Sequence, residues 1–231
     1  MLKKKKNDLR WLEFELLQCF PEVKHAVFLN PPLGEKTFLE NSEKALEHLQ
    51  LKECARLIQC HGDQVQEAVQ GGLFENYDAL MTAKKEVGLL IRHADCQAAL
   101  LYDPIHHVLA NVHCGWRGSV LNLYGKVIAK MNERYGSQAE DLIVCIGPSL
   151  GPEAAEFKHY QSELPETFWP FQVKPLYFDF WEISRMQLEQ AGVPEEQIEI
   201  AEICTFANEK ECFSYRRNKN TFHHGTLAAI I

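Results

Sequence analysis

The sequence predicts an α+β fold in which helices pack outside β-sheets. Short apolar runs of strand length outnumber the segments with helical periodicity, and most of them are joined by tight turns. A chain of 231 residues with 46% hydrophobic content can bury one sizeable core but is short for two. We therefore expect one domain over residues 1–231.

The N-terminal part is expected to contain two strands and one helix. Residues 23–29 form an apolar strand that ends in residues 30–34, where two adjacent prolines cannot continue a ladder. Asn41 or Ser42 is expected to cap a helix. Residues 57–59 form a short strand that leads into a Gly-containing turn.

The central part has the clearest strand pattern. Residues 87–91, 98–102 and 108–112 are apolar runs separated by polar bends or turns. Ser119 is expected to cap a helix that ends at Gly136. The apolar stripe of that helix is Val120, Tyr124, Val127, Ile128 and Met131.

The rest of the chain completes the expected pattern. Residues 142–146, 198–203 and 226–231 are predicted strands, and residues 182–191 are a predicted helix closed by a glycine. Lys3 to Lys6 is a run of positive charge followed by further charged residues, which excludes the apolar core of a signal peptide. We expect it to be a solvated, frayed terminus.

Charge and cysteine content limit the classes of function. A net charge of −8 argues against nucleic acid and anionic membranes as partners, because both are bound by basic surfaces. No apolar run approaches the roughly 20 residues that cross a bilayer. Eight scattered cysteines without an export signal are expected to stay thiols in the cytoplasm. The expected ligand is a small molecule, and the sequence does not indicate the oligomeric state.

Three residues far apart in the sequence are candidate metal ligands. His61, Cys96 and His113 lie in separate segments next to Gly or Asp, where strands give way to turns. Two imidazoles and a thiolate are what a catalytic zinc with one open position takes from a protein. The short Cys or His pairs typical of a structural zinc do not occur in this sequence. A metal-free alternative makes Cys96 a nucleophile with either histidine as its base.

Arg117 is the main candidate for binding phosphate. It lies in the turn at Gly115–Gly118 that opens the predicted helix, where free N–H groups attract anions, and a guanidinium matches phosphate oxygens in pairs. The alternative is that Arg117 forms a structural salt bridge. Arg216, Arg217 and Lys219 form a second basic patch that could meet phosphate, but a solvated loop is the default interpretation.

Three further polar residues are candidates for the pocket. Asp95 either orients His61 or His113 as a hydrogen-bond acceptor or caps its turn. Gln64 and Asp78 are either pocket residues or turn formers.

Paired histidines at 106–107 and 223–224 suggest copper, but adjacent residues of a strand point to opposite faces and no His-x-His occurs. We therefore exclude laccase chemistry as the main function, although copper can compete for the same three donors.

The motifs around the three candidate ligands resemble a known family. They are HADC at 93–96, LLYDP at 100–104, VHCGWRG at 112–118, QCHGDQV at 59–65, YDALMT at 77–82, IGPSLGP at 146–152 and FSYRR at 213–217. Together they resemble the laccase-domain or polyphenol-oxidase-like family, whose members are described as zinc-dependent purine nucleoside phosphorylases and, in some cases, as peptidoglycan editing factors.

The resemblance implies a single-domain α/β/β/α sandwich with mixed, largely antiparallel sheets. It also implies zinc at the positions of His61, Cys96 and His113, and phosphorolysis of adenosine, inosine and methylthioadenosine, with deamination of adenosine in some members. The sequence departs from the family pattern at residues 29–34, at Ala98, at 153–154 and at 224–226. Substrate preference is therefore left open.

The sequence leaves three functions open. The first is a zinc-dependent purine nucleoside phosphorylase with nucleoside and phosphate as ligands. The second is a Cys-dependent hydrolase of amide or peptidoglycan-derived substrates, and the third is a non-catalytic binding module in which the metal only staples strands together.

Overall fold

The computed structural model describes residues 1–6, 9–29 and 38–231. In the first half of the chain the elements are β1 Leu2–Lys6, β2 Leu9–Glu13, β3 Val23–Phe28, α1 Phe38–Leu49, β4 Glu53–Ile58, β5 Val65–Glu67, β6 Gly72–Glu75, β7 Ala79–Thr82, β8 Val87–His93, β9 Gln97–Asp103 and β10 Val108–Cys114. In the second half they are α2 Trp116–Val120, α3 Leu123–Tyr135, β11 Ile143–Ile146, α4 Tyr160–Glu163, β12 Gln172–Lys174, β13 Tyr177–Phe178, α5 Phe180–Gln190, β14 Ile198–Ile200 and β15 His224–Ile230.

Two large sheets form the middle of the molecule. Sheet A has the strand order β1-β2-β3-β15-β8-β4-β6, and sheet B has the order β14-β11-β9-β10-β7-β5. Both sheets are mixed: β4 runs parallel to β8 and β6, and β11 and β14 are also parallel, whereas β9 and β10 are antiparallel to each other. The strands β12 and β13 form a separate small ribbon.

The central strands β7, β9 and β10 of sheet B are buried on both faces, and the alternation of their side chains separates two cores. On β9, Ala98, Leu100 and Tyr102 pack in the core shared with sheet A, whereas Ala99 and Leu101 pack on the opposite face. This period of two is the pattern expected of a pleated strand. The sheets therefore pack face to face over one layer of apolar side chains.

Helices cover the two outer faces. Ala45 and Leu49 of α1 pack on sheet A, and Val127 and Met131 of α3, with Leu188 of α5, pack on sheet B. The order helix, sheet, sheet, helix confirms the expected α/β/β/α sandwich. That one domain spans all of residues 1–231 stays a prediction.

One polar side chain ties the two sheets together. Asn111 of β10 is fully buried, and its Nδ2 donates hydrogen bonds to the carbonyl of Leu89 on β8, at 2.9 Å, and of Thr226 on β15, at 2.8 Å. These bonds cross from sheet B to the backbone of sheet A. Because a buried carbonyl without a partner is costly, they fix how the sheets stack.

The expectation of a frayed lysine terminus is wrong. Residues Leu2–Lys6 form β1, which pairs antiparallel with β2 at the edge of sheet A. Lys3 reaches Glu211 at 2.8 Å. Lysines on an edge strand keep other chains from adding to the sheet, which explains how a charged run can be a strand.

The start of the helix after β10 also differs from the expectation. Ser119 lies inside the short helix α2, and Asn122, at a φ of 52°, caps α3 by accepting a hydrogen bond from the amide of Gly125 at 3.3 Å. The break leaves Val120 37% exposed, outside the apolar stripe. The predicted end at Gly136 is confirmed, with a φ of 80°.

Other helix boundaries differ from the expectation by a few residues. Helix α1 begins at Phe38 rather than at Asn41 or Ser42, since neither residue type prevents a helix from extending. Helix α5 begins at Phe180, where Asp179 accepts from the amides of Trp181 and Glu182. The proline segment expected at residues 30–34 lies outside the described residues. Among the described helices, none has the length and apolar character needed to cross a bilayer.

Candidate metal centre and ligand cavity

The fold brings the three predicted ligands together. His61 lies in the turn after β4, Cys96 in the bend between β8 and β9, and His113 near the end of β10. One potential ligand atom of each residue lies within 4.8 Å of the other two. Among the described residues, this is the cluster of His, Cys and acidic side chains with the spacing for a shared metal ion.

Asp78, which lies just before β7, organises the cluster. Its carboxylate is fully buried and accepts hydrogen bonds from the backbone amides of Cys60 at 3.2 Å, His61 at 2.9 Å and Gly62 at 2.7 Å. Its Oδ1 also lies 2.8 Å from Nδ1 of His113. Because Nδ1 of His113 is engaged in this way, Nε2 is the nitrogen available to the cluster.

The backbone near the cluster is strained or close-packed. His61 has a φ of 60°, a left-handed conformation that non-glycine residues rarely adopt, and Asp95 has a φ of 91°. A Cβ on Gly115 would lie 2.9 Å from Sγ of Cys96 and 3.3 Å from the His61 ring. Glycine at 115 therefore lets the chain pass directly beside two of the three donors.

The donors polarise one another. Burial alone would raise the pKa of Cys96, but its hydrogen bonds with His113 and His61 lower the pKa to about 6. Burial would lower the pKa of His113, yet Asp78 and Cys96 raise it to about 9. Burial opposes ionisation of Asp78 as well, and the hydrogen bond from His113 and the amide of Gly62 hold its pKa well below the usual range. Cys96 is therefore a thiolate near neutral pH, the form that binds metal and attacks electrophiles.

A cavity of about 280 Å³ opens beside His61 and Cys96. Its walls combine aromatic rings with positive charge. They include Trp116, Phe157, Phe180, Tyr215, Leu150, Ala155, Ser149, Arg117, Arg216 and Lys219. Phe157 stacks near Phe180 with ring centroids 5.2 Å apart and meets Trp116 edge-on at 5.8 Å. An apolar cavity with a few polar groups at one end is typical of a small-molecule site.

Arg117 lines this cavity from α2. Its guanidinium stacks over the neighbouring Trp116 ring at 4.4 Å, and no described carboxylate lies within salt-bridge distance of it. The structural salt bridge considered from the sequence is therefore not present among the described residues. The charge of Arg117 is available to an anion.

Of the other predicted polar residues, Asp95 lines the cavity but Gln64 does not. The Asp95 carboxylate accepts from the hydroxyl of Thr205 at 2.7 Å and from the amide of Arg216. It therefore anchors the loop after β14, and Asp78 rather than Asp95 orients His113. The Gln64 amide donates to Asp63 at 2.8 Å on the surface, outside the set of residues that line the cavity.

The second basic patch divides into two roles. Arg216 and Lys219 line the same cavity as Arg117. Arg217 instead donates to the carbonyls of Thr205 at 2.9 Å and Phe206 at 2.8 Å, and so holds the loop together. The sequence places three cationic residues close together, but only the folded loop shows which of them line the cavity.

Several site residues are missed or undervalued at the sequence level. The local pattern does not decide whether Asp78 is a pocket residue or a turn residue. Its position just before an apolar strand, like the positions of the candidate ligands at strand ends, is a signal that could identify it. Phe157 and Phe180 carry no local pattern that distinguishes a cavity wall from an ordinary core.

The paired histidines do not form a second metal cluster among the described residues. His106 pairs with Asp103 at 2.8 Å, and His107 contacts the hydroxyl of Tyr102 at 3.0 Å. Both ring nitrogens of His224 are occupied, by the carbonyl of Phe28 and the amide of Phe213. These imidazoles serve the fold.

Known proteins resemble this chain in sequence. The family model described as multi-copper polyphenol oxidoreductase laccase matches residues 34–231. A protein named purine nucleoside phosphorylase from Bacteroides thetaiotaomicron is 35% identical over 154 residues, which are 63% of this chain and 57% of that protein. The chain thus spans less than two thirds of this relative's length. A purine nucleoside phosphorylase of Rickettsia conorii is 26% identical over 215 residues, covering 87% of this chain and 88% of the relative.

A solved structure shares the fold. The crystal structure of a hypothetical protein, YfiH, of Bacillus licheniformis superposes with a TM-score of 0.84 over 99% of both chains, at 21% identity. At this level of identity the likeness concerns the arrangement of sheets and helices.

Proposed function

The chain belongs to the family described as multi-copper polyphenol oxidoreductase laccase, and from this premise we propose that it is a zinc-dependent purine nucleoside phosphorylase. The observation that carries the proposal is the convergence of His61, Cys96 and His113 beside an aromatic, cationic cavity that His61 and Cys96 line. The names of the relatives supply the reaction class. The arrangement of side chains supplies a place for each reactant.

The three donors fit zinc. Two imidazoles and a thiolate are its usual ligands, and Asp78 fixes the ring of His113 as the carboxylate partner of a ligating histidine does. When bound, zinc supplies a Lewis acid at this end of the cavity. The same three donors also suit copper, which competes because of its higher affinity for such ligands.

The cavity walls suit a purine nucleoside and phosphate. The faces of Phe157, Phe180 and Trp116 can stack on a purine ring. Arg117, Arg216 and Lys219 provide the positive charge for phosphate. In phosphorolysis a phosphate oxygen bonds to C1′ of the sugar while the bond from C1′ to the base breaks, and the base leaves with the electron pair and gains a proton. Holding both reactants side by side removes most of the entropy cost of that step.

We infer that inosine, adenosine and methylthioadenosine are the substrates, and that deamination of adenosine is a side activity. The family resemblance supports this substrate range. A cytoplasmic location is part of the same proposal, and the eight free cysteines are compatible with it.

The test is release of hypoxanthine from inosine by the zinc-loaded protein, with and without phosphate. We expect release that depends on phosphate, and an Arg117→Gln variant that raises the KM for phosphate about tenfold or more. Arg134→Gln is the matched control, because Arg134 pairs with Glu67 on the surface. Equal release without phosphate would replace phosphorolysis by hydrolysis.

One observation favours a second function. Asp78, His113 and Cys96 form a chain of hydrogen-bonded groups that matches the acid, base and nucleophile of a cysteine hydrolase. In that function His61 only helps to keep Cys96 ionised, and the third metal-binding position is not needed. Full activity on an amide substrate in the presence of a chelator, with covalent labelling of Cys96, would establish it in place of the phosphorylase.

One variant distinguishes the phosphorylase from a non-catalytic binding module in which the metal only joins strands. In such a module Cys96→Ala should melt at a much lower temperature than the wild type. The wild type itself should turn over no nucleoside. The phosphorylase proposal expects a folded but inactive Cys96→Ala protein.

A further inference from the structure

Ser149, which follows β11, is a polar residue in the apolar wall of the cavity. It is 1% exposed and lines the cavity, whose wall also includes Leu150, Ala155, Phe157 and Phe180. Its backbone is fixed on both sides, because its amide donates to the carbonyl of Ile203 at 3.1 Å and its carbonyl accepts from the amide of Thr205 at 2.9 Å. The position of its hydroxyl is therefore set by the fold.

The partner of Ser149 determines what its hydroxyl can do. Nε1 of Trp181 lies 2.7 Å from Oγ of Ser149, and an indole N–H can only donate. Oγ is therefore the acceptor of this bond, and the hydroxyl proton is free to be donated elsewhere. Among the described residues, none accepts it within hydrogen-bond distance. A buried hydroxyl donor without a protein partner is uncommon and needs a partner from outside the fold.

We propose that Ser149 is a specificity-determining residue whose hydroxyl donates a hydrogen bond to a ring nitrogen of the bound purine. This inference rests on the proposed function. The cavity that Ser149 lines has Leu150, Ala155, Phe157 and Phe180 in its wall, and such side chains pack against a purine ring, so we assign the hydroxyl to the base rather than to the phosphate. A single hydrogen-bond donor in such a wall can contact the edge of a ring that packs against the wall. N3 and N7 accept hydrogen bonds in both adenine and hypoxanthine, so this contact selects purines without distinguishing the two.

Two variants separate ligand binding from a structural role. Ser149→Ala removes both the hydroxyl donor and the acceptor of the Trp181 N–H, whereas Trp181→Phe removes the indole N–H and part of the ring but keeps the Ser149 hydroxyl. We expect Ser149→Ala to raise the KM for inosine about three- to tenfold, and Trp181→Phe to leave it within twofold. If both variants raise the KM equally, Ser149 acts by supporting Trp181 and the inference is wrong. Ser149→Thr, which keeps the hydroxyl, should restore most of the affinity.

Modified nucleosides identify the contacted atom. In 3-deazaadenosine and 7-deazaadenosine one ring nitrogen is replaced by C–H, and binding of each to the wild type and to Ser149→Ala is measured by calorimetry. We expect the Ser149→Ala loss to disappear for one of the two analogues, since that analogue has already lost the acceptor. Equal losses for adenosine and both analogues would overturn the contact. Failure of the wild type to release any base would instead reject the proposed function.

Discussion

Replacement of Asp78 by asparagine tests how the candidate metal centre is held together. Asparagine has nearly the same shape but exchanges one acceptor oxygen for an NH₂ group. Oδ1 accepts from the amide of His61 and contacts His113, and Oδ2 accepts from the amides of Cys60 and Gly62. Whichever way the amide is oriented, at least two of these hydrogen bonds become contacts between two donors.

The expected loss follows from those bonds. A buried hydrogen bond to a charged group contributes about 1.5–3 kcal/mol, so two such bonds correspond to about 3–6 kcal/mol of unfolding free energy. For a chain of this size that lowers Tm by roughly 6 to 24 °C. Zinc affinity should fall about 10- to 100-fold, because His113 loses the partner that fixes its ring.

Thermal melts of the metal-free protein and zinc titration against a chelator measure the two effects. Asp63→Asn is the control, because Asp63 lies in the same turn but pairs with Lys126 on the surface. Wild-type zinc affinity in Asp78→Asn would refute the idea that this carboxylate positions the ligands.

Three further predictions concern the site and the sheets. The Gly115→Ala variant should fold but bind zinc at least tenfold more weakly, because the added Cβ lies 2.9 Å from Sγ of Cys96. Zinc binding equal to that of the wild type would contradict this packing. In metal-free protein the alkylation rate of Cys96 should rise with pH with a midpoint near 6, because its thiolate is lost only below that pH. A midpoint near the ordinary thiol value of about 8.5 would contradict this prediction. Asn111→Ala should lower the free energy of unfolding by about 2–4 kcal/mol in a denaturant titration, because two buried carbonyls lose the hydrogen bond from Asn111. Asn220→Ala, at an exposed position, is its control. Equal unfolding midpoints for the two variants would contradict the cross-sheet role of Asn111.

The strands β8, β9 and β10, which flank Cys96 and contain His113, can be predicted from the sequence because burial on both faces makes them largely apolar. Strand β4 before His61 is predicted only at residues 57–59, since its alternating pattern contains exposed residues. The predicted ends of β8, β9 and β10 lie within two residues of the observed ones. The short edge strands β1, β5 and β6 are not predicted, since their residues are polar or few and their pairing depends on neighbours distant in sequence.

The same distinction applies to the site. The candidate ligands His61, Cys96 and His113 lie at strand ends and carry side chains suited to metal binding, so sequence context is enough to propose them. The role of Asp78 depends on a turn that folds back over it, and the difference between Arg216 and Arg217 depends on loop geometry. Neither is encoded by local spacing.

Ser119 shows a third kind of difference. A serine before an apolar stripe usually indicates a helix start, but the chain forms α2 first and starts again at Asn122. Gly115, which passes beside Cys96, and Arg117, which lines the cavity, both belong to the turn and short helix that precede this second start.

The metal content and X-ray absorption spectrum of the purified protein test the central claim most directly. We expect one zinc per chain with two nitrogen donors and one sulfur donor from the protein, and loss of the metal in His61→Ala, Cys96→Ala and His113→Ala. A protein without sulfur at the metal, or one whose three variants keep a full complement of zinc, would contradict the account.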